Sequence, residues 1–73
     1  MQETLKAINI VMNGSKHDIP EGTTLEELIM RLKLKEKAIV LELNRKIIEK
    51  SAYPTVCLKD SDIVEIVHFV GGG

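Results

Sequence analysis

The chain has 73 residues, of which 44% are hydrophobic and 29% charged, which is the composition of one small globular domain. This length excludes a multidomain enzyme, and a domain so small leaves little room for an enclosed active site. Ten basic residues against eleven acidic ones give a formal net charge of -1, so the charge indicates neither a nucleic-acid nor an anionic-membrane partner.

The first predicted element is a β-hairpin. Apolar residues recur at every second position of its first strand, at Ile8, Ile10 and Met12. The strand runs into Asn13-Gly14, a dipeptide that accepts the positive φ angles of a type I′ turn. The return strand is predicted over residues 15–19 and ends at Pro20-Glu21-Gly22, where proline restricts φ and glycine tolerates a left-handed conformation.

One helix is predicted after this turn. Thr24 and Glu27 have the spacing of a capping box, and Thr23 with Glu26 is the alternative one residue earlier. Acidic residues in the first turn also suit the positive end of the helix dipole. The apolar stripe follows the helical period and consists of Leu25, Leu28, Ile29 and Leu32.

The second half of the chain predicts strands. Residues 38–43 form a strand in which Ile39, Leu41 and Leu43 face the core while Val40 and Glu42 face out. A turn at residues 44–45 leads to a short segment around residues 47–48 and then to an irregular connection through residues 51–54. The polar cluster at residues 59–62 predicts another turn, and residues 63–70 follow as the most apolar run and the predicted central strand.

The order of these elements predicts an α+β fold. The last strand must return beside the first, and a right-handed crossover then places the helix across one face of a mixed sheet of four to five strands. This arrangement is a β-grasp; a ferredoxin-like sandwich would need a second helix, for which the sequence has almost no room. We predict a single β-grasp domain over residues 1–73, with residues 1–6 as a candidate disordered extension and residues 71–73 as a flexible tail.

Motifs of catalysis are missing from the sequence. Its serines and histidines match neither G-x-S-x-G nor H-E-x-x-H, and no phosphate-binding glycine loop occurs. Asp60 and Asp62 could be read as metal ligands, but Asp-x-Asp at the head of a strand favours a turn whose side chains bond the local backbone. Cys57 is interpreted as a small, inert and partly buried residue, and His68 as an ordinary sheet position.

Cysteine content and hydropathy predict the compartment. A single cysteine cannot form an internal disulfide, and one thiol with two histidines falls short of a closed four-ligand zinc site. This pattern is typical of a reducing compartment, and we expect a cytoplasmic protein. The N-terminus lacks the basic region and long apolar core of a signal peptide, and no run approaches about 20 apolar residues, so no membrane segment is predicted.

The three C-terminal glycines, Gly71, Gly72 and Gly73, carry chemistry of another kind. A thread without side chains can pass a channel too narrow for any Cβ, and at ~3.3 to 3.6 Å per residue three glycines extend on the order of 10 Å. An α-carboxylate is ionised at neutral pH and can attack the α-phosphate of ATP. Displacement of AMP from the acyl-adenylate by sulfur would leave a thiocarboxylate. The alternative is a frayed end, because ordering glycine costs more conformational entropy than ordering any other residue.

From about residue 13 onwards, the sequence resembles the ThiS sulfur-carrier family of thiamin biosynthesis. The resemblance rests on several segments, of which the last is the most specific: Met12-Asn13-Gly14, Ile19-Pro20-Glu21-Gly22-Thr23-Thr24-Leu25, Glu42-Leu43-Asn44, Ile47-Ile48, Leu58-Lys59-Asp60-Ser61-Asp62 and the closing stretch Val64 to Gly73. Residues 1–6 depart from the family pattern, because its members usually begin almost directly with the first strand.

The resemblance implies a ubiquitin-like β-grasp carrier that is not itself an enzyme. The carboxylate of Gly73, with Gly72 as the other half of the terminal pair, would be adenylated by a ThiF-type adenylyltransferase that consumes ATP and Mg²⁺. A cysteine desulfurase would supply sulfur, and thiazole synthase, ThiG, would receive it. No permanently bound cofactor, no metal, no nucleic acid and no membrane partner is implied.

Three other functions stay open from the sequence. The small subunit of molybdopterin synthase, MoaD, has the same fold and tail chemistry, although the Asn13-Gly14 hairpin and the closing strand favour ThiS. A β-grasp binding module would work without tail chemistry and would keep its activity after deletion of Gly72 and Gly73. A protein-conjugating modifier would form isopeptide-linked adducts in cells.

The last strand also predicts a surface for partners. Glu65 sets the outward parity, so Ile63, Val67 and Phe69 should share its face while Val64 and Ile66 point at the helix. With outward Val40, the exposed residues would form an apolar patch at the root of the tail, where we place the partner-binding residues Val40, Val67, Phe69, Val70 and Gly71. A dimer contact or a covered face is the alternative for this patch.

Overall fold

The computed structural model describes residues 6–69, which form a mixed sheet of five strands, one α-helix and two short 3-10 helices. The strands are β1 (Ala7–Met12), β2 (Ser15–Pro20), β3 (Ile39–Leu43), β4 (Lys46–Ile47) and β5 (Ile63–His68). The α-helix is α1 (Leu25–Arg31), and the 3-10 helices are Glu36–Ala38 and Lys50–Ala52. The first 3-10 helix includes Ala38, so β3 begins one residue later than predicted.

The strand order across the sheet is β2-β1-β5-β3-β4, so β5 is the central strand, as predicted. It runs parallel to β1 and antiparallel to β3, while β1–β2 and β3–β4 are antiparallel hairpins. The last strand therefore returns beside the first. The ubiquitin-like β-grasp is confirmed, and the ferredoxin-like alternative is excluded because the described residues contain a single α-helix.

Both hairpins turn at asparagines with left-handed backbone conformation. Asn13 and Gly14 have φ of 47° and 84°, the signature of the predicted type I′ turn. The β3–β4 hairpin repeats this with φ of 51° at Asn44 and 72° at Arg45. Type I′ turns match the right-handed twist of the flanking strands, so these two dipeptides set the register of both hairpins.

The helix begins at the predicted capping box of Thr24 and Glu27, and not at the alternative one residue earlier. The backbone N–H of Glu27 donates to Thr24 Oγ1 over 3.1 Å, and the Thr24 N–H donates to Glu27 Oε1 over 2.9 Å. These reciprocal bonds satisfy two of the free donors at the helix N-terminus. The helix buries Leu25, Leu28 and Ile29 against the sheet.

The core contains one large residue that the sequence did not single out. Tyr53 follows the second 3-10 helix, in the connection expected to be irregular, and is 1% exposed. Its carbonyl accepts a bond from the Glu26 N–H over 3.1 Å, so this connection also caps the start of α1. Burial raises the pKa of the Tyr53 hydroxyl, the negative charge of Glu36 raises it further, and a backbone hydrogen bond at Leu41 opposes both.

The exposure of Cys57 differs from the prediction. It was predicted to be partly buried, whereas its side chain is exposed. The backbone of Cys57 forms an isolated β-bridge with Thr24, and its neighbour Leu58 points inward and is 2% exposed. Alternation along this extended segment gives the core position to Leu58 and leaves the thiol outside.

Candidate functional site

The open face of the sheet carries the predicted apolar patch where β5 ends. Val67 is 57% exposed and Phe69 54% exposed, and Val40, which is partly exposed, lies directly opposite Val67 in the β3–β5 ladder. We call Val40, Val67 and Phe69 the tail-root patch. Val64 is fully buried and Ile66 packs on the core, so the predicted parity of β5 is confirmed. The binding of a partner by this patch stays a prediction.

Backbone hydrogen bonds hold β5 as far as Phe69. The Phe69 N–H donates to the carbonyl of Ala38 over 2.7 Å, which continues the pairing with β3 beyond the end of both strands. The predicted site residues Val70, Gly71, Gly72 and Gly73 lie outside the described residues, as do residues 1–5 of the expected extension. Among the residues that the structure describes, Phe69 is therefore the closest along the chain to the predicted reactive carboxylate.

The rest of the open face combines apolar and acidic side chains. Ile63 is 47% exposed on β5 and Ile47 69% exposed on β4. Glu42 and Glu65 lie directly opposite each other across β3 and β5. Ile47 lies beside Glu42 in the β3–β4 ladder, and Glu65 lies between Ile63 and Val67 along β5. Like charges at opposed positions destabilise a sheet, so this row contributes no stability to the isolated domain. The carboxylates of Glu42 and Glu65 among these apolar side chains suit a basic group on a partner surface.

A pair of asparagines bonds β5 through side-chain amides. Asn13 Oδ1 accepts from the Ile66 N–H over 2.8 Å, and Asn13 Nδ2 donates to the Ile66 carbonyl over 3.3 Å. Asn44 Oδ1 accepts from the Ile63 N–H over 2.9 Å, and Asn44 Nδ2 donates to Asp62 Oδ1 over 3.1 Å. The sequence indicated both residues as turn formers but not as contacts of β5. The choice of Asn over Asp or Gly was the available signal, because only Asn offers both a donor and an acceptor.

The Asp60–Asp62 segment is a turn, as predicted. Asp62 Oδ2 accepts from the Lys59 N–H over 2.8 Å, while Asp60 Oδ1 accepts from the Asn9 N–H over 2.8 Å and so ties the turn to β1. Within residues 6–69, no group of three or more His, Cys, Asp or Glu side chains is arranged to hold a metal ion. His68 occupies an exposed position in β5, as expected for a sheet residue.

A shallow groove of about 240 Å³ lies beside the turn after β2, lined by Pro20, Glu21, Gly22, Thr23, Glu27 and Arg31. Pro20 pairs with Ala7 at the start of β1, whereas the tail-root patch lies beyond the other end of β1. The groove and the tail-root patch are therefore at opposite ends of the sheet.

Among the described residues, no helix has the length and apolar character needed to cross a membrane.

Comparison with known proteins connects this geometry to a family. The model of the ThiS family matches residues 4–73. The sulfur carrier protein ThiS of Bacillus subtilis is 46% identical over 50 residues, which cover 68% of this chain and 76% of that protein. The crystal structure of the thiamine biosynthesis protein ThiS from Geobacter metallireducens superposes with a TM-score of 0.78 at 32% identity, covering 90% of this chain and all of the other.

Longer proteins match as well. A thiazole synthase of Magnetococcus marinus is 38% identical over 66 residues, and one of Paramagnetospirillum magneticum is 35% identical over 66 residues. In each case the match covers 90% of this chain but 20% of the synthase. The chain therefore spans about a fifth of the length of these relatives, and each synthase contains a segment similar to the domain described above.

Proposed function

The chain belongs to the ThiS family, and from this membership we propose that it is a sulfur carrier for the formation of the thiazole of thiamin. The observation that carries the proposal is the family match, which runs through the terminal glycines to Gly73.

The chemistry takes place in partner enzymes. A carboxylate oxygen of Gly73 attacks the α-phosphorus of ATP in an adenylyltransferase of the ThiF type, with Mg²⁺ as that enzyme's ion. A carbon–oxygen–phosphorus anhydride forms, the bond between the α- and β-phosphates breaks, and pyrophosphate leaves. Sulfur at the oxidation level of sulfide, delivered through a cysteine desulfurase and a reducing thiol, then attacks the acyl carbon and displaces AMP. The product is a thiocarboxylate on Gly73, formed without net oxidation or reduction of the carrier.

Thiazole synthase is the proposed acceptor of the sulfur. Two thiazole synthases contain a segment similar to this chain within one polypeptide, at 38% and 35% identity. Joining a carrier to its acceptor raises their effective concentration without any new contact, so such an arrangement favours pairs that work together. This observation supports thiazole synthase over the large subunit of molybdopterin synthase as the partner.

The folded domain would provide the docking surface for these partners. We place docking at the tail-root patch, because its exposed Val67 and Phe69 are the last apolar side chains that the structure describes before the tail. An enzyme that binds there can guide the four residues after Phe69 into its active site. Extended, four residues span on the order of 13 Å.

The test is the intact mass, with fragmentation, of the protein co-expressed with its organism's adenylating enzyme and a desulfurase. A variant lacking Gly73 is the control. We expect the replacement of one oxygen by sulfur in the C-terminal fragment of the complete chain and none in the truncated one. Fragmentation is needed because oxidation of Met1, Met12 or Met30 gives nearly the same change in mass. An unmodified C-terminus beside an active adenylating enzyme would rule out sulfur carriage.

A second step separates the acceptors. The purified thiocarboxylate form is incubated with thiazole synthase and its small-molecule substrates, or with the large subunit of molybdopterin synthase. We expect the thiocarboxylate to be consumed with the first and retained with the second. The reverse pattern would assign the carrier to molybdopterin formation.

A further inference from the structure

Asn13 completes a part of the sheet that the backbone of β1 does not reach. The parallel β1–β5 ladder includes bonds from the Val11 N–H to the Asp62 carbonyl and from the Asn13 N–H to the Val64 carbonyl, both 2.9 Å long. In a regular parallel ladder the next bonds would connect Ile66 to the residues that continue β1. The chain reverses at Asn13-Gly14 instead, and the Asn13 side chain supplies both the acceptor and the donor for Ile66.

The position of Ile66 makes this contact important for the end of β5. Backbone groups alternate in direction along a strand, and Phe69 points its N–H at β3, to Ala38. Ile66, an odd number of residues earlier, points its N–H and carbonyl the other way, to Asn13. The last part of β5 is therefore held by β3 on one side and by a single side chain on the other.

We infer that Asn13 is a positioning residue for the carboxylate of Gly73, because its amide fixes Ile66 and with it the direction in which the chain leaves the sheet. This inference rests on the sulfur-carrier function proposed above. Asn13 does not touch the reacting atoms; it acts through β5. Its role would be to present the tail at a constant angle to an enzyme docked on the tail-root patch.

The length of the chain beyond Ile66 amplifies any loss of direction. Phe69 follows Ile66 by three residues, which span on the order of 10 Å when extended. Over that length, a tilt of about 5° at Ile66 displaces the start of the tail by about 1 Å. A displacement of 1 Å can already reduce the rate of a reaction between positioned groups by about 100-fold.

Asn44 provides a matched control within the same strand. It also sits in a turn at positive φ, 51° against 47° for Asn13, so glycine fits the backbone at both positions. In each asparagine, Oδ1 accepts a hydrogen bond from a β5 N–H and Nδ2 donates another. The corresponding bonds have similar lengths in the two residues. Asn44, however, holds Ile63 at the start of β5, away from the tail.

The experiment compares Asn13→Gly and Asn44→Gly in the adenylation of the complete chain, measured as pyrophosphate release. For Asn13→Gly we expect kcat to fall by about 10-fold or more with KM within about 2-fold of the unchanged protein, because the patch keeps all its side chains and Phe69 keeps its bond to Ala38. For Asn44→Gly we expect both constants within about 2-fold. Asn13→Asp, which keeps the acceptor for the Ile66 N–H and loses the donor, should give an intermediate kcat. Equal losses of kcat in the two glycine variants, or none in Asn13→Gly, would overturn the inference.

Amide hydrogen exchange of the free protein separates this inference from the proposed function. The bond from the Phe69 N–H to Ala38 is left in place by both substitutions. Exchange at Phe69 should become about 10-fold faster in Asn13→Gly and stay near its original rate in Asn44→Gly. An unchanged exchange rate at Phe69 in Asn13→Gly would refute the positioning role, even if the unchanged protein is adenylated normally and the proposed function holds. A complete chain that no adenylating enzyme accepts would refute the function instead, and the exchange result would stand by itself.

Discussion

Truncation of Phe69 tests whether the tail-root patch binds the adenylating enzyme. Phe69 is 54% exposed, and a phenylalanine buries about 150–250 Å² when fully covered. A partner that covers the exposed half removes about 100 Å² of apolar surface from water, worth about 2.5 kcal/mol at about 25 cal/mol per Å². Phe69→Ala should therefore raise the KM of the carrier by at most about 60-fold, and by about 10-fold where the fit is incomplete.

The same substitution should leave the domain folded. The covered half of Phe69 contributes about 1–2 kcal/mol to folding after allowance for residual burial in the unfolded chain. The assay is the initial rate of pyrophosphate release against carrier concentration, with urea unfolding of the same samples. Met30→Ala is the control, because Met30 is 69% exposed but lies on α1, on the other side of the sheet. We expect its KM within about 2-fold of the unchanged protein.

A KM for Phe69→Ala that equals that of the unchanged protein would refute docking at this patch. Combined with a loss of more than about 3 kcal/mol in the free energy of unfolding, it would mean that Phe69 packs in the core. A similar rise in KM for Met30→Ala would show that the assay responds to exposed apolar surface in general.

Two further predictions concern the stability of the domain. Thr24→Ala removes both bonds of the Thr24 hydroxyl, the one it accepts from the Glu27 N–H and the one it donates to Glu27 Oε1, and should lower the free energy of unfolding by about 1–2 kcal/mol in urea. Thr55→Ala, which removes one exposed bond to the Ala52 carbonyl, should lower it by less than about 0.5 kcal/mol, and equal losses would contradict the role of the box. Because the pKa of Tyr53 is raised above 10.0 in the folded state, the unfolded chain loses the phenolic proton first as pH increases. The stability that this group contributes is complete below pH 10 and is lost as the pH rises from there towards the folded-state pKa. The difference in the free energy of unfolding between the unchanged protein and Tyr53→Phe should therefore shrink between pH 8 and pH 11. A constant difference would contradict the raised pKa.

Local signals predicted most of the fold. The positive φ at Asn13 and Gly14 and the capping box at Thr24 depend on residues that are neighbours in sequence, so their physical causes can be read from a few positions. Alternation along residues 63–68 likewise predicted which side chains of β5 face the helix, and the exposure of Val67 follows from it.

Contacts between distant segments were not predictable in this way. Tyr53 lies in a stretch without periodicity, and its burial depends on the packing of the connection beneath the start of α1. Cys57 was expected to be partly buried from the general tendency of cysteine, but its place beside buried Leu58 in an extended segment leaves it exposed. The opposition of Glu42 and Glu65 depends on the register between β3 and β5, which neither segment specifies alone.

By itself, the sequence determined most of the elements of this protein and the strand that precedes the glycines, because turn chemistry, capping and alternation act over a few residues. The carboxylate chemistry of Gly73 stays a prediction from the sequence. Only the tertiary structure decided how the tail is supported. The bonds from Asn13 to Ile66 join residues 53 positions apart, and they exist because the right-handed crossover returns β5 to the side of β1 just where β1 turns away. The same topology brings Val40 beside Val67 and so makes one surface from two strands that β4, the second 3-10 helix and a long connection separate in the chain.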